Sequence, residues 1–261
     1  MITTAPAKST QNVDWIAVLP TGMIRRVMAM RLLRFLIGLA LIPCGIAVTR
    51  TLVSTLNAAQ PTAEQTFSPS FLAFSGGFAL WLVVFMALPP PTRAYVLAHE
   101  LTHALWAKLL GKKVLGMKVG SQSGAVVVSE SNVLISLAPY FFPLYTVLVM
   151  MLYYGLAPFL DVKPWWLPYL AIVGLTWSFH ITFTVSTLMA RQSDIVECGR
   201  LFSYAFIYLM NVLAVALWIV LVSDATILQF GRFLWRDLSV VWAAVFHYAV
   251  VGADAARGLF K

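Results

Sequence analysis

The chain has 261 residues, 61% of them hydrophobic and 11% charged, with a mean hydropathy of +0.85. A soluble domain is roughly 45–50% apolar and about a quarter charged, so neither a soluble core nor a disordered chain fits, and the class is integral membrane protein. The net charge of +8 does not point to nucleic acid, because the basic residues sit mostly just outside the apolar runs, where they meet anionic headgroups and set topology.

Residues 1–34 form a polar and basic lead-in that ends with Arg25, Arg26, Arg31 and Arg34. The uncharged stretch Phe35–Thr49 predicts a retained anchor with the N-terminus on the cytoplasmic side. A signal peptide is not expected, since the basic part comes late and no convincing small-residue cleavage site follows. Arg50–Ser70 is polar, contains Pro61 and predicts a loop. Phe71–Leu88 predicts a second span, stopped by Pro89-Pro90-Pro91. Thr92–Leu110 predicts a helix closed by Gly111, and it carries Arg93, two His, Glu100 and Lys108. In Lys112–Val128, β-branched residues flank Ser121-Gln122-Ser123-Gly124, the pattern of a β-hairpin.

Ser131–Leu160 has no charged residue and predicts one span, kinked by Pro139 and Pro143. Pro164–Ala190 predicts another, with His180 its only ionisable side chain. After the polar junction Arg191–Arg200 comes the span Leu201–Ser223. Residues 224–261 mix Trp, Phe and Val with Arg232, Arg236, Asp237 and His247; they predict either an interfacial amphipathic helix or a marginal last span. The expected fold is an all-α polytopic membrane protein of five to six transmembrane helices with a short β-hairpin. Its parts are the lead-in 1–34, a membrane-embedded domain 35–223 and an amphipathic tail 224–261. Cys44 lies in an apolar run and Cys198 in a polar junction, which suggests no disulfide framework.

The chemistry concentrates in residues 99–103, His-Glu-Leu-Thr-His. On a helix, positions i and i+4 share a face, so His99 and His103 can converge on one Zn²⁺, and Glu100 can take a proton from water activated by that metal. With four His and four Glu in this chain, a chance match is expected roughly once in a thousand such sequences. The competing reading is a polar helix facing a water-filled cavity. A zinc hydrolase needs a third protein ligand. Asp194, at a junction between apolar runs, fits that role, and it also fits a helix cap beside Ser193. Glu130 is the rival ligand, with Glu197 and Cys198 one turn after Asp194 as substitutes. His180 lies 14 residues before Asp194, about 21 Å along a continuous helix, so the two cannot share a zinc shell unless that helix breaks. The hairpin offers an edge strand that can capture an extended substrate segment.

A HExxH helix among spans, then a short hairpin, then a later Asp between spans resembles the site-2 protease family of intramembrane zinc metalloproteases, over roughly residues 71–223. The resemblance implies His99, His103 and Asp194 as zinc ligands and Glu100 as general base. It further implies a zinc-dependent endopeptidase acting on membrane-anchored protein substrates, in a multi-pass protein of a bacterial inner or plasma membrane. The family's third ligand usually stands in an Asn-Pro-Asp-Gly or Leu-Asp-Gly context, whereas Ser193 and Ile195 flank Asp194 here. A CAAX-processing type of site expects a Glu with an Asp four residues on, which neither Glu130 nor Glu197 has. A second function class is a non-proteolytic membrane scaffold or receptor that retains the HExxH helix; the presence of Glu100 favours the enzyme. Basic residues before Phe35 and at Lys112, Lys113 and Lys118 place both flanks inside, so the helix between them is expected to be re-entrant or interfacial.

Overall fold

A computed structural model of the chain describes residues 21–59, 68–190, 192–223 and 225–259. The elements are α1 (Thr21–Ala59), α2 (Pro69–Ala87), α3 (Thr92–Leu109), β1 (Val114–Val119), β2 (Gly124–Val128), α4 (Val133–Leu137), α5 (Leu144–Leu156), α6 (Trp166–Met189), α7 (Ser193–Cys198), α8 (Arg200–Val222) and α9 (Ile227–Leu259). The fold is all-α apart from the antiparallel β1–β2 hairpin. Five helices, α1, α2, α6, α8 and α9, are long and apolar enough to cross a membrane, as in a multi-pass membrane protein. The α4–α5 pair makes a sixth span if its two halves, bent by 82°, are counted as one. The bend falls between Pro139 and Pro143, which interrupt the helical hydrogen bonding.

One expectation is corrected. The helix of the first span already runs at Thr21, inside the lead-in, and continues past Arg50 to Ala59, where a loop was expected. Tertiary packing explains the extension: Thr51 and Thr55 are fully buried, and Thr51 Oγ1 donates to Asp237 on α9 at 3.2 Å. Residues 1–20, and Pro61 with its neighbours 60–67, lie outside the described residues. The tail forms one 33-residue helix, and Ile227–Gly258 qualifies as a span.

Two pairs of parallel helices organise the bundle. In the α1–α8 pair, Arg34 Nη1 donates to the Glu197 carbonyl at 2.6 Å at one end, and Thr49 Oγ1 meets Tyr208 Oη at 2.7 Å further along. In the α2–α6 pair, Trp166 Nε1 donates to Ser70 Oγ at 3.0 Å and Trp81 Nε1 donates to Thr182 Oγ1 at 2.9 Å. The α2–α6 backbones touch: a Cβ on Gly77 would lie 1.9 Å from the Ala171 carbonyl oxygen, and one on Gly174 would lie 2.0 Å from that of Phe74. Small residues permit this approach, and close backbone packing is a main source of helix association in lipid.

The end of α6 passes through α7 into the start of α8, so α2 and α6 finish at the end of the bundle where α8 begins. Helix α3 bridges the two pairs there. Tyr95 stacks on Phe183 of α6, with centroids 4.7 Å apart, and Trp106 meets Phe141, which meets Phe206 of α8. Both ends of α3 therefore sit at one end of the bundle, and α3 is not among the helices apolar enough to span. The basic segments around Arg34 and Lys112–Lys118 share that end.

Candidate metal centre

Helix α3 brings His99 and His103 onto one face, with their Nε2 atoms 3.2 Å apart. Asp194 enters from the first turn of α7, its Oδ2 3.6 Å from each of those nitrogens. These three atoms lie on a circle of radius about 2.0 Å, against zinc–nitrogen and zinc–oxygen distances of roughly 2.0–2.2 Å. Among the described residues this is the cluster of His, Cys, Asp and Glu that could hold a metal ion.

Each ligand is held by a further group. His103 Nδ1 lies 2.8 Å from the Ile135 carbonyl, which accepts its proton and leaves Nε2 free to bind a cation. His99 Nδ1 lies 3.2 Å from Tyr95 Oη, which also accepts from Thr187 Oγ1 at 2.7 Å. Burial pushes the Tyr95 phenol up to about 12, so it stays neutral and able to hydrogen-bond. Tyr140, whose side chain is fully buried, donates its hydroxyl to Asp194 Oδ2 at 3.1 Å and stacks edge-on against His99. The Tyr140 backbone is itself fixed by Asn211 Nδ2, which donates to its carbonyl at 3.0 Å.

The electrostatics are those of a buried site. Burial raises Glu100 above the usual carboxylate range, a push partly offset by His99 and His103 and reinforced by Asp194. Burial alone would raise Asp194 too, but the adjacent imidazoles of His103 and His99 hold it well below its ordinary value. For His103, burial works against the charged form, yet Asp194 and the Ile135 carbonyl leave it above the normal imidazole range.

Glu100 is buried beneath the hairpin. A Cβ on Gly124 would lie 2.5 Å from Glu100 Cγ and 2.8 Å from Oε1, so any larger residue where β2 crosses the helix would push the Glu100 side chain aside. Alongside runs a cleft of about 790 Å³, lined by His99, Glu100 and His103, by Gly124–Val126 of β2, and by Asp194 and Glu197. The sheet has two strands, so one edge of β2 is unpaired.

The structure thus brings together His99, His103 and Asp194 with Glu100 beside them, and leaves the other candidates apart. Glu130 is exposed and pairs with Lys112 at the base of the hairpin, which lowers its carboxyl. Glu197 is exposed on the cleft rim, and Cys198 is buried outside the ligand group. His180 sits on the unbroken helix α6, beside a cavity of about 20 Å³ behind α3 that His99 and Thr102 also line. The supporting residues Tyr95, Ile135, Tyr140, Thr187 and Asn211 were not foreseen. Tyr95 stands four positions before His99, a spacing that places it on the same helix face, but Tyr140 carried no local signal. Comparison with protein-family models, curated proteins and solved structures finds no match, so the site is read from its own geometry.

Proposed function

We propose that the chain is a zinc-dependent endopeptidase that hydrolyses peptide bonds of membrane-anchored proteins at one face of the bilayer. The observation that carries this reading is the metal-sized triangle of His99, His103 and Asp194 with Glu100 next along the helix. Zinc held by those residues supplies a Lewis acid that polarises a carbonyl and lowers the pKa of water. Glu100 takes the proton from the attacking water and delivers it to the amine nitrogen as the carbon–nitrogen bond breaks. Gly124–Val126 of β2 line the same cleft as Glu100, so an extended substrate segment paired with the free edge of β2 would pass the catalytic residues. Site residues and basic segments share one end of the bundle, which supports a cytoplasmic location for that end. A bacterial inner or plasma membrane is the proposed location, with the lipid bilayer and the substrate as partners.

Metal analysis of detergent-purified protein tests the reading together with cleavage of a panel of membrane-anchored reporters. The expected result is one zinc per chain, lost in Asp194→Ala but kept in Glu130→Ala and Glu100→Gln, with cleavage abolished in Glu100→Gln. Zinc bound without any Glu100-dependent cleavage would point to the scaffold or receptor role. Absence of zinc uptake overturns the metal centre itself.

A further inference from the structure

The opposite end of the bundle carries a second cluster of charged side chains. Asp237 of α9 is fully buried. Its Oδ1 accepts from Arg236 Nε at 3.1 Å and from Nη2 at 3.0 Å, and Arg50 Nε of α1 stands 3.7 Å away. Its Oδ2 accepts from Thr51 Oγ1, and Arg236 Nη2 also donates to Ser54 Oγ at 2.8 Å. Arg236 lies over the Phe233 ring at 5.3 Å, which further restricts it. The Arg50 and Arg236 side chains nonetheless stay 55% and 54% exposed. Arg232 is exposed one turn earlier on the same face of α9. Among the described residues of α1 and α9 here, three guanidinium groups therefore share this stretch with a single carboxylate.

Their depth is defined by sequence. Phe35–Thr49 on α1 and Leu238–Ala253 on α9 contain no Asp, Glu, Lys or Arg, and Arg50 and Asp237 stand at the ends of those runs. Charge placement makes the cluster unusual. The metal-site end holds the basic segments, as topology rules require, while the connecting segments 60–68, 157–165 and 223–226 carry Glu64, Asp161 and Asp224 against Lys163 alone. Arginines concentrated at this end do not follow from topology.

We propose that Arg50, Arg232 and Arg236 bind the phosphate of an anionic phospholipid in the leaflet opposite the metal centre. Guanidinium forks match phosphate oxygens bidentately, and Asp237 holds two of them in place from beneath. Among the described residues, the Nη groups of Arg50 and Nη1 of Arg236 make no hydrogen bond, so they remain available to a headgroup. Basic side chains at a bilayer surface attract anionic lipid, and here the carboxylate gives the attraction a fixed geometry. This site is independent of the hydrolytic reading.

The test is thermal unfolding of the full chain in neutral detergent with added phosphatidylglycerol, phosphatidylcholine or inorganic phosphate. Phosphatidylglycerol is expected to raise the midpoint beyond the effect of phosphatidylcholine. Arg50→Gln/Arg232→Gln, which leaves the Arg236–Asp237 pair intact, should lose at least half of that excess. Lys112→Gln/Lys113→Gln removes the same charge at the other end and should keep most of it. Native mass spectrometry should count one fewer retained phosphatidylglycerol in the arginine variant, a readout that its own stability does not supply. The proposal is overturned if the arginine variant keeps the full shift, if the lysine variant loses as much, or if inorganic phosphate alone reproduces the shift.

Discussion

Tyr140→Phe isolates one hydrogen bond of the proposed metal centre. The substitution removes a hydroxyl that donates to Asp194 Oδ2 at 3.1 Å and leaves the fully buried ring in place against His99. Two effects on zinc affinity oppose each other. A carboxylate with one donor fewer is more basic, which favours a cation. It is also less restrained, because apart from the two imidazoles its other side-chain partner, Ser193 Oγ to Oδ1, is long at 3.4 Å. Restraint wins, since Oδ2 must face both imidazoles at once. Groups in this position typically change metal affinity 10- to 100-fold, equivalent to about 1.4–2.7 kcal/mol. The assay is competition for zinc against a fluorescent chelator on detergent-purified protein, with Tyr145→Phe as control, because the Tyr145 hydroxyl donates to the Ala94 carbonyl and to no ligand. A dissociation constant for Tyr140→Phe within twofold of the parent, or an equal loss in Tyr145→Phe, refutes the argument.

Gly124→Val should displace the Glu100 side chain while leaving the ligands untouched, so zinc stays near one per chain and reporter cleavage falls at least about 100-fold, the scale of a general base; loss of zinc would contradict this. Gly77→Leu should prevent the α2–α6 approach and lower the unfolding midpoint, at a cost of about 1–3 kcal/mol or more, whereas Gly76→Leu, which meets nothing within 4 Å, should be tolerated. In metal-free protein the Asp194–His103 pair should stabilise most between about pH 3.8 and 6.5. The depressed Asp194 loses its contribution as pH falls below that window, and the raised His103 loses its own as pH rises through its elevated value. Midpoints measured against pH in chelator should show this maximum, and Asp194→Asn should flatten it.

What could be read from the residues was whatever depends on local spacing. His99, Glu100 and His103 lie within one helical turn, and the helix predicted for them at Thr92–Leu110 forms at Thr92–Leu109. The hairpin and the proline-bent span were visible for the same reason: turn residues and prolines act on their own neighbours. Asp194 needed the later end of α6 to return to α3, which no spacing encodes, so its reading as a ligand left a capping role open beside it. Tyr140 reaches Asp194 only because the proline-bounded turn after α4 turns its ring inward. The extension of α1 through Arg50 was misread because Thr51 and Thr55 look like loop residues until Asp237 is packed against them.

The burial of Glu100 links the hairpin to the metal. Desolvation and the neighbouring Asp194 both raise its carboxyl above the usual range. The imidazoles counter this only in part. A dication held by His99, His103 and Asp194 adds a much larger nearby positive charge, which favours the ionised carboxylate. The same burial that raises Glu100 strengthens its response to a nearby cation, because charges interact more strongly where water is excluded. Gly124 sets that burial by letting β2 press directly onto the Glu100 side chain. The hairpin therefore has two roles in the proposed enzyme: its free edge would receive the substrate, and Gly124, the first residue of β2, lets the strand cover the general base.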